Sequence, residues 1–139
     1  MRIMGLDLGS RRIGIAIGDP ITGFAFPSGV IFRKDEKADI SEILSQIKKN
    51  QIGQLVIGMP ISMNGKKGQQ AEATLQFIDL LKKQSTIDIQ TWDERLTTVE
   101  ANRRLREAGS RKNQKGTEDA VAASILLQAF LDSKRSYAL

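Results

Sequence analysis

Cysteine and histidine are both absent from this chain of 139 residues. Without cysteine, the protein has no thiol nucleophile, no disulfide and no cysteine-based zinc site. Without histidine, it has no Ser-His-Asp triad, no histidine general base and no HExxH zinc site. An enzyme with this composition must therefore work with carboxylates, lysines, hydroxyls or a bound metal.

Long apolar runs are missing as well. The longest, over 120–131, is interrupted by Ser124 and Gln128 and is too short to span a bilayer. The first predicted strand begins at once and carries Asp7, so no secretory signal is visible. With 40% apolar and 27% charged residues, the sequence predicts one cytoplasmic domain over 1–139 with no membrane partner.

Positive charge is concentrated in one part of the chain. The segment 95–115 holds seven basic and two acidic residues, which accounts for the whole net charge of +5. A localised basic stretch indicates a polyanionic partner such as a nucleic acid. A solvated helix face followed by a polar loop is the alternative explanation.

The spacing of apolar residues predicts the fold. Five strands are expected, over 2–8, 13–18, 23–32, 54–60 and 87–92. Four helices are expected: one over 40–47 that is ended by Gly53, one whose apolar face includes Leu75, one that opens at Thr97, and one capped by Thr117. The order β-β-β-α-β-α-β-α-α predicts an α/β fold, a five-stranded mixed sheet with flanking helices.

Three acidic positions stand out against this fold. Asp7 lies in a strand that otherwise appears buried, where an unpaired carboxylate costs several kcal/mol. Glu94, or its neighbour Asp93, follows the fifth strand, and Asp119 lies in the first turn of the last helix. Such carboxylates, without histidine or cysteine, suit Mg²⁺ or Mn²⁺. Two such ions could activate a water and stabilise the leaving oxygen of a phosphodiester.

Each acid also has an ordinary structural explanation. Asp7 could accept backbone hydrogen bonds from the turn 9–12 that follows it. Asp93 and Glu94 could pair with Arg95 or cap the next helix. Asp119 could be a first-turn acid, which a helix N-terminus stabilises. A shared cation accounts for all three positions together.

Four motifs carry a family resemblance. "GLDLGSRRIGIAIGD", "VIGMPISMNG", "WDERLTTVEA" and "KGTEDAVAASILL" occur in this order over essentially the whole chain. Together they resemble the YqgF/RuvX-type family of pre-16S rRNA nucleases, which are RNase H-like proteins related to Holliday-junction resolvases. The resemblance implies an RNase H-like fold.

The resemblance also implies a catalytic role for particular residues. It makes Asp7, Glu94 and Asp119 the metal-binding catalytic acids, with Mg²⁺ or Mn²⁺ as cofactor. Gly58, Pro60 and Gly65 match the family's loop after the fourth strand, and Lys115 and Gly116 match its basic approach to the last helix. The candidate nucleic-acid-binding residues are basic side chains near these motifs: Arg11, Arg12, Arg95, Arg111, Lys112 and Lys115.

The sequence departs from the related junction resolvases at one position. Those proteins have an acid at the end of the fourth strand, whereas this chain has "IGMP" there, so Glu94 must replace it from the next strand. The number of bound metal ions is therefore left open. So is the oligomeric state, between a monomer and a weak dimer.

The expected activity is metal-dependent cleavage of structured nucleic acid. Processing of the 5′ end of pre-16S rRNA is favoured, and resolution of branched DNA is the alternative. A non-catalytic RNA-binding module is a further alternative. An actin-like kinase, whose phosphate-binding hairpin resembles the first motif, would need a second lobe for which 139 residues leave no room.

Overall fold

A computed structural model describes residues 1–61, 68–96 and 115–135. Five strands form one sheet in the order β3-β2-β1-β4-β5. The strands are β1 (Arg2–Leu8), β2 (Arg12–Asp19), β3 (Phe24–Phe32), β4 (Ile52–Met59) and β5 (Asp88–Asp93). The helices are α1 (Glu36–Lys49), α2 (Gln69–Gln84) and α3 (Lys115–Arg135), and a 3-10 turn covers Glu94–Leu96.

The sheet is mixed, as the sequence predicts. The strands β1, β2 and β3 form an antiparallel meander, whereas β4 and β5 run parallel to β1. Parallel neighbours need a crossover, and α1 and α2 supply the connections before β4 and β5. The helix predicted to open at Thr97 lies outside the described residues.

Two apolar layers cover the two faces of the sheet. Met4 and Leu6 of β1 point towards α1 and α2, where they pack in a cluster that includes Phe77. Ile3 points to the opposite face and packs with Leu127 of α3. Successive side chains of a strand alternate between faces, so Asp7 lies on the same face as Ile3, which is the face that α3 covers.

A partly buried ion pair joins Arg33, which directly follows β3, to α1 and to the turn after β1. Arg33 donates from Nε to Oδ2 of Asp39 at 3.0 Å and from Nη1 to the carbonyl oxygen of Gly9 at 2.9 Å. Asp39 is only 3% exposed, and its other oxygen accepts the backbone N–H of Lys34. With its hydrogen bonds satisfied, this pair anchors the turn that follows Asp7.

The last helix approaches the sheet closely because the strands present glycines to it. A Cβ atom built on Gly14 would lie 2.0 Å from the carbonyl oxygen of Asp119, and one on Gly5 would lie 2.9 Å from Cβ of Leu127. Real Cβ atoms do not come this near to a backbone oxygen, so any side chain at residue 14 would push α3 away.

Three details of the predicted helices were wrong. The last helix starts at Lys115, so Thr117 lies inside it and Asp119 lies beyond the first turn. Asn50 caps α1, and Gln51 adopts a positive φ of 55° in the turn that was expected at Gly53. Leu75 is 37% exposed.

The buried face of α2 is formed by Ala71, Thr74, Phe77, Ile78 and Leu81. None of the helices in the described ranges is both long enough and apolar enough to cross a membrane.

We expect Gly14→Ala to destabilise the protein strongly. The added methyl group meets backbone rather than a movable side chain, so the free energy of unfolding should fall by about 3 kcal/mol. Gly29→Ala is the matched control, because a Cβ atom there has no neighbour within 4 Å. Its free energy of unfolding should change by less than about 0.5 kcal/mol in urea titrations. Equal effects of the two substitutions would contradict the close packing of α3.

Candidate active site

Asp7 lies near the end of β1 on the face that α3 covers. Its register partner on β2 is Gly14, the residue on which the backbone of Asp119 rests. Gly14 therefore connects two of the three predicted acids. It is paired with Asp7 in the strand register, and it lies against the backbone of Asp119. Residues 7 and 119 are brought together although 111 residues separate them in the sequence.

Glu94 reaches the same place from the β5 edge of the sheet. It is the first residue of the 3-10 turn after β5, and its carboxyl group lies over Gly58 at the end of β4. A Cβ atom on Gly58 would lie 2.6 Å from Oε1 of Glu94. Gly58, in the "IGMP" segment at the end of β4, therefore provides the space through which Glu94 approaches β1.

The carboxyl groups of Asp7 and Glu94 are hydrogen-bonded to each other. Burial, the charge of Asp7 and this hydrogen bond raise the pKa of Glu94 to about 7. Burial and the charge of Asp119 also raise the pKa of Asp7, while the hydrogen bond from Glu94 opposes the rise. Near neutral pH the two carboxyl groups therefore share one proton.

Asp119 is held by Arg12. The Nε atom of Arg12 donates to Oδ2 of Asp119, and each side chain keeps about a quarter of its surface exposed. Arg12 was predicted as a nucleic-acid-binding residue, and its pairing with an acid 107 residues away was missed. The sequence contains one signal of this pairing: the alternation of side chains along β2 places Arg12 on the same face as Gly14.

Asp93 and Glu94 have different partners. Asp93 makes a bidentate ion pair with Arg95, whose Nη2 atom lies 2.6 Å from Oδ2, and this pairing lowers the pKa of Asp93. Glu94 points the other way, to Asp7. The sequence allowed either acid to pair with Arg95, and in the structure Asp93 does so.

The basic residues predicted to bind nucleic acid are described only in part. Arg11 is exposed in the turn between β1 and β2, and Arg95 is exposed beside Asp93. Lys115 begins α3, but its side chain lies outside the described part of the chain, as do Gly65, Arg111 and Lys112. Within that part, no three acidic side chains are already arranged as ligands of one metal ion. Asp7 and Glu94 contact each other, and Asp119 is turned to Arg12.

The shared proton predicts how stability depends on pH in metal-free buffer. From pH 4.5 to 7, Glu94 ionises in the unfolded chain but keeps its proton in the folded one, so folding becomes less favourable as the pH rises. We expect a loss of about 2 kcal/mol once the partial exposure of Glu94 is discounted.

Glu94→Gln keeps a hydrogen-bond donor to Asp7 but cannot ionise, so it should remove most of this loss. Urea titrations at pH 5 and 7.5 in EDTA would measure the difference between the two proteins. A wild type and a variant that lose the same free energy over this interval would contradict the shared proton.

Known proteins resemble this chain over almost its whole length. The model of the RuvX family, described as Holliday junction resolvase, matches residues 1–133. A Halothermothrix orenii protein named "Putative pre-16S rRNA nuclease" is 49% identical over 133 residues, which make up 95% of each chain. A protein of the same name from Clostridium botulinum strain Hall is 48% identical over 96% of this chain and 98% of its own.

Solved structures show the same fold at low sequence identity. Thermus thermophilus RuvC in complex with a Holliday junction substrate gives a TM-score of 0.60 at 11% identity, over 97% of this chain and 96% of that chain. The fowlpox virus resolvase, with its Holliday junction DNA, gives 0.59 at 10% identity, over 96% and 99%. The fold is therefore the RNase H-like fold of the RuvC-type resolvases, and the family match together with the near full-length relatives shows that the chain belongs to the RuvX family.

Proposed function

We propose that this protein is a metal-dependent endonuclease that hydrolyses phosphodiester bonds of structured nucleic acid. Its task would be to process the 5′ end of pre-16S rRNA in the cytoplasm, as one RNase H-like domain over 1–139. The observation that carries the proposal is the hydrogen-bonded pair of Asp7 and Glu94, with the charge of Asp119 acting on it. Three elements distant in sequence converge on this point.

The donor set suits a divalent cation. Nucleases of this fold class generally use divalent metals, and carboxylate oxygens are the ligands that Mg²⁺ and Mn²⁺ prefer. The two carboxyl groups repel each other when both are ionised, which raises the pKa of Glu94. A cation between them would remove this repulsion. Asp7 and Glu94 would hold the ion, and Asp119 would join them when it leaves Arg12.

The bound cation, as one ion or two, would supply an activated water and would stabilise charge on the leaving oxygen. With an ion bound, Glu94 would release its proton to solvent and would serve as a carboxylate ligand. Arg12 presents a planar guanidinium beside the acids, a group that suits phosphate recognition. Arg11 and Arg95, with Arg111, Lys112 and Lys115 of the basic segment, would contact neighbouring phosphates and add a salt-dependent share of the affinity.

Pre-rRNA is the favoured substrate because relatives that match almost the full chain at 48–49% identity are named for it. Branched DNA is the second candidate, and its support is the description of the matching family as Holliday junction resolvase. A non-catalytic RNA-binding module is disfavoured, because a purely binding surface has no need for two partly buried carboxyl groups whose contact destabilises the fold at neutral pH.

Substitution of the acids should abolish cleavage without preventing binding. We expect Asp7→Asn and Glu94→Gln each to lower the cleavage rate by at least about a hundredfold, because each removes a charge that holds the cation. The measurement is cleavage of a pre-16S rRNA 5′ region and of a four-way DNA junction with Mg²⁺ or Mn²⁺. The substrate that is cut would decide between the two candidate functions.

Asp93→Asn is the matched control for Glu94→Gln, because it neutralises the adjacent carboxylate, which pairs with Arg95 rather than with Asp7. Its cleavage rate should stay within about fivefold of the wild type. Binding of both substrates without any cleavage by the wild type would favour the non-catalytic module. A larger loss in Asp93→Asn than in Glu94→Gln would reverse the assignment of the two acids.

Metal binding should stabilise the folded protein. A divalent ion at about ten times its dissociation constant adds about 1.4 kcal/mol, or roughly 3–5 °C in Tm. We expect this shift with millimolar Mg²⁺ or Mn²⁺, and we expect it to be larger at pH 8 than at pH 5.5, where Glu94 keeps its proton. Asp7→Asn should lose the shift and Asp93→Asn should keep it. An identical shift in all three proteins would indicate that the ion binds elsewhere.

A further inference from the structure

An exposed aromatic ring lies beside the candidate active site. Phe32 ends β3, and its register partner on β2 is Arg12, the residue that contacts Asp119. Directly paired residues of antiparallel strands point to the same face, so Phe32 lies on the face that carries Asp7 and α3. The side chain of Phe32 is nevertheless 66% exposed.

The exposure follows from where α3 begins its contact with the sheet. The helix meets β2 at Gly14 through Asp119 and then crosses towards Gly18, which faces Leu131. Ala25, at the start of β3, packs under the helix, whereas Phe32 lies at the opposite end of the same strand. The ring therefore stands past the part of the sheet that α3 covers.

Phe32 is close enough to the acids to act on the same substrate. Two strand spacings across the sheet and two residues along it separate Phe32 from Asp7, a distance of about 12 Å between Cα atoms. Side chains from both positions can reach one nucleotide and its neighbour. The phosphate of one would lie at the acids while the base of the other lies at the ring.

Basic residues adjoin Phe32 in the strand register and along the chain. Arg12, which pairs with Asp119, is its cross-strand neighbour, and exposed Lys34 follows two residues later. The carbonyl oxygen of exposed Arg11 accepts the backbone N–H of Arg33, the residue after Phe32. Cations that follow a phosphate backbone, combined with an exposed aromatic ring, are typical of surfaces that bind single strands by base stacking. A continuous duplex keeps its base faces stacked inside and offers none to such a ring.

We propose that Phe32 is a stacking platform for an unpaired base next to the bond that is cut. The inference rests on the proposed nuclease function and deepens it, because it names the substrate class: a nucleic acid whose nucleotides are unpaired at the active site. Phe32 acts here as a positioning residue, which holds one base so that the adjacent phosphate lies at the acids.

The test measures binding in EDTA, where no cleavage occurs, with fluorescence anisotropy of a short single-stranded RNA and of the same sequence as a complete duplex. Phe32→Ala should weaken binding of the single strand by about 5- to 100-fold and leave duplex binding unchanged. A 2-aminopurine base in the single strand should be quenched by the wild type and not by the variant.

Two further variants separate stacking from effects on the fold. Phe32→Leu keeps an apolar side chain without a ring face and should lose binding as Phe32→Ala does, whereas Phe32→Trp should retain it. Phe24→Ala is the matched control, because Phe24 is 56% exposed on the same strand but lies at its other end and faces away from α3. It should bind both RNAs as the wild type does.

Each other outcome would overturn the inference in a recognisable way. Single-strand binding that is unchanged in Phe32→Ala and Phe32→Leu would show that no base stacks there, while the proposed nuclease function would stand. Equal losses of affinity for the single strand and for the duplex would mean that the ring contacts nucleic acid without stacking on a base. A wild type that binds neither RNA would remove RNA as the substrate of the proposed nuclease, and the stacking platform with it.

Discussion

The backbone of α3 meets the sheet at Gly14, where the carbonyl oxygen of Asp119 occupies the space that a side chain would fill. This contact fixes how near the helix comes to β1 and therefore how near Asp119 comes to Asp7. Apolar packing of α3 against the same face supplies the stabilising energy, and the glycine sets the distance. The position of the candidate site is thus a consequence of core packing.

The second constraint is electrostatic. Glu94 reaches Asp7 over Gly58, so the fold brings two carboxyl groups together that repel each other once both are ionised. The shared proton and the Arg12–Asp119 pair lower this repulsion in the protein without a cation. Repulsion of this kind is typical of functional sites, where it lowers the free energy of unfolding and ligand binding raises that free energy again.

Much of this arrangement could be predicted from local patterns. Apolar spacing located the five strands to within a few residues, and alternation placed Asp7 on the correct face of β1. Local pattern left the choice between Asp93 and Glu94 open, because Asp93 ends β5, Glu94 begins the 3-10 turn, and either could pair with Arg95. The start of α3 was misplaced for a similar local reason, since a threonine before an acid resembles a helix cap.

The sequence by itself determined the composition of the site. Without histidine and cysteine, the chain offers oxygen ligands and basic side chains, and alternation along each strand fixes the face on which each of them lies. Tertiary structure alone decided which of them meet. Arg12 and Asp119 are paired across 107 residues, Glu94 passes over the neighbouring strand, and Phe32 stands uncovered beside Arg12. These contacts depend on helix placement and strand register, which arise from packing over the whole sheet, and no local pattern records them.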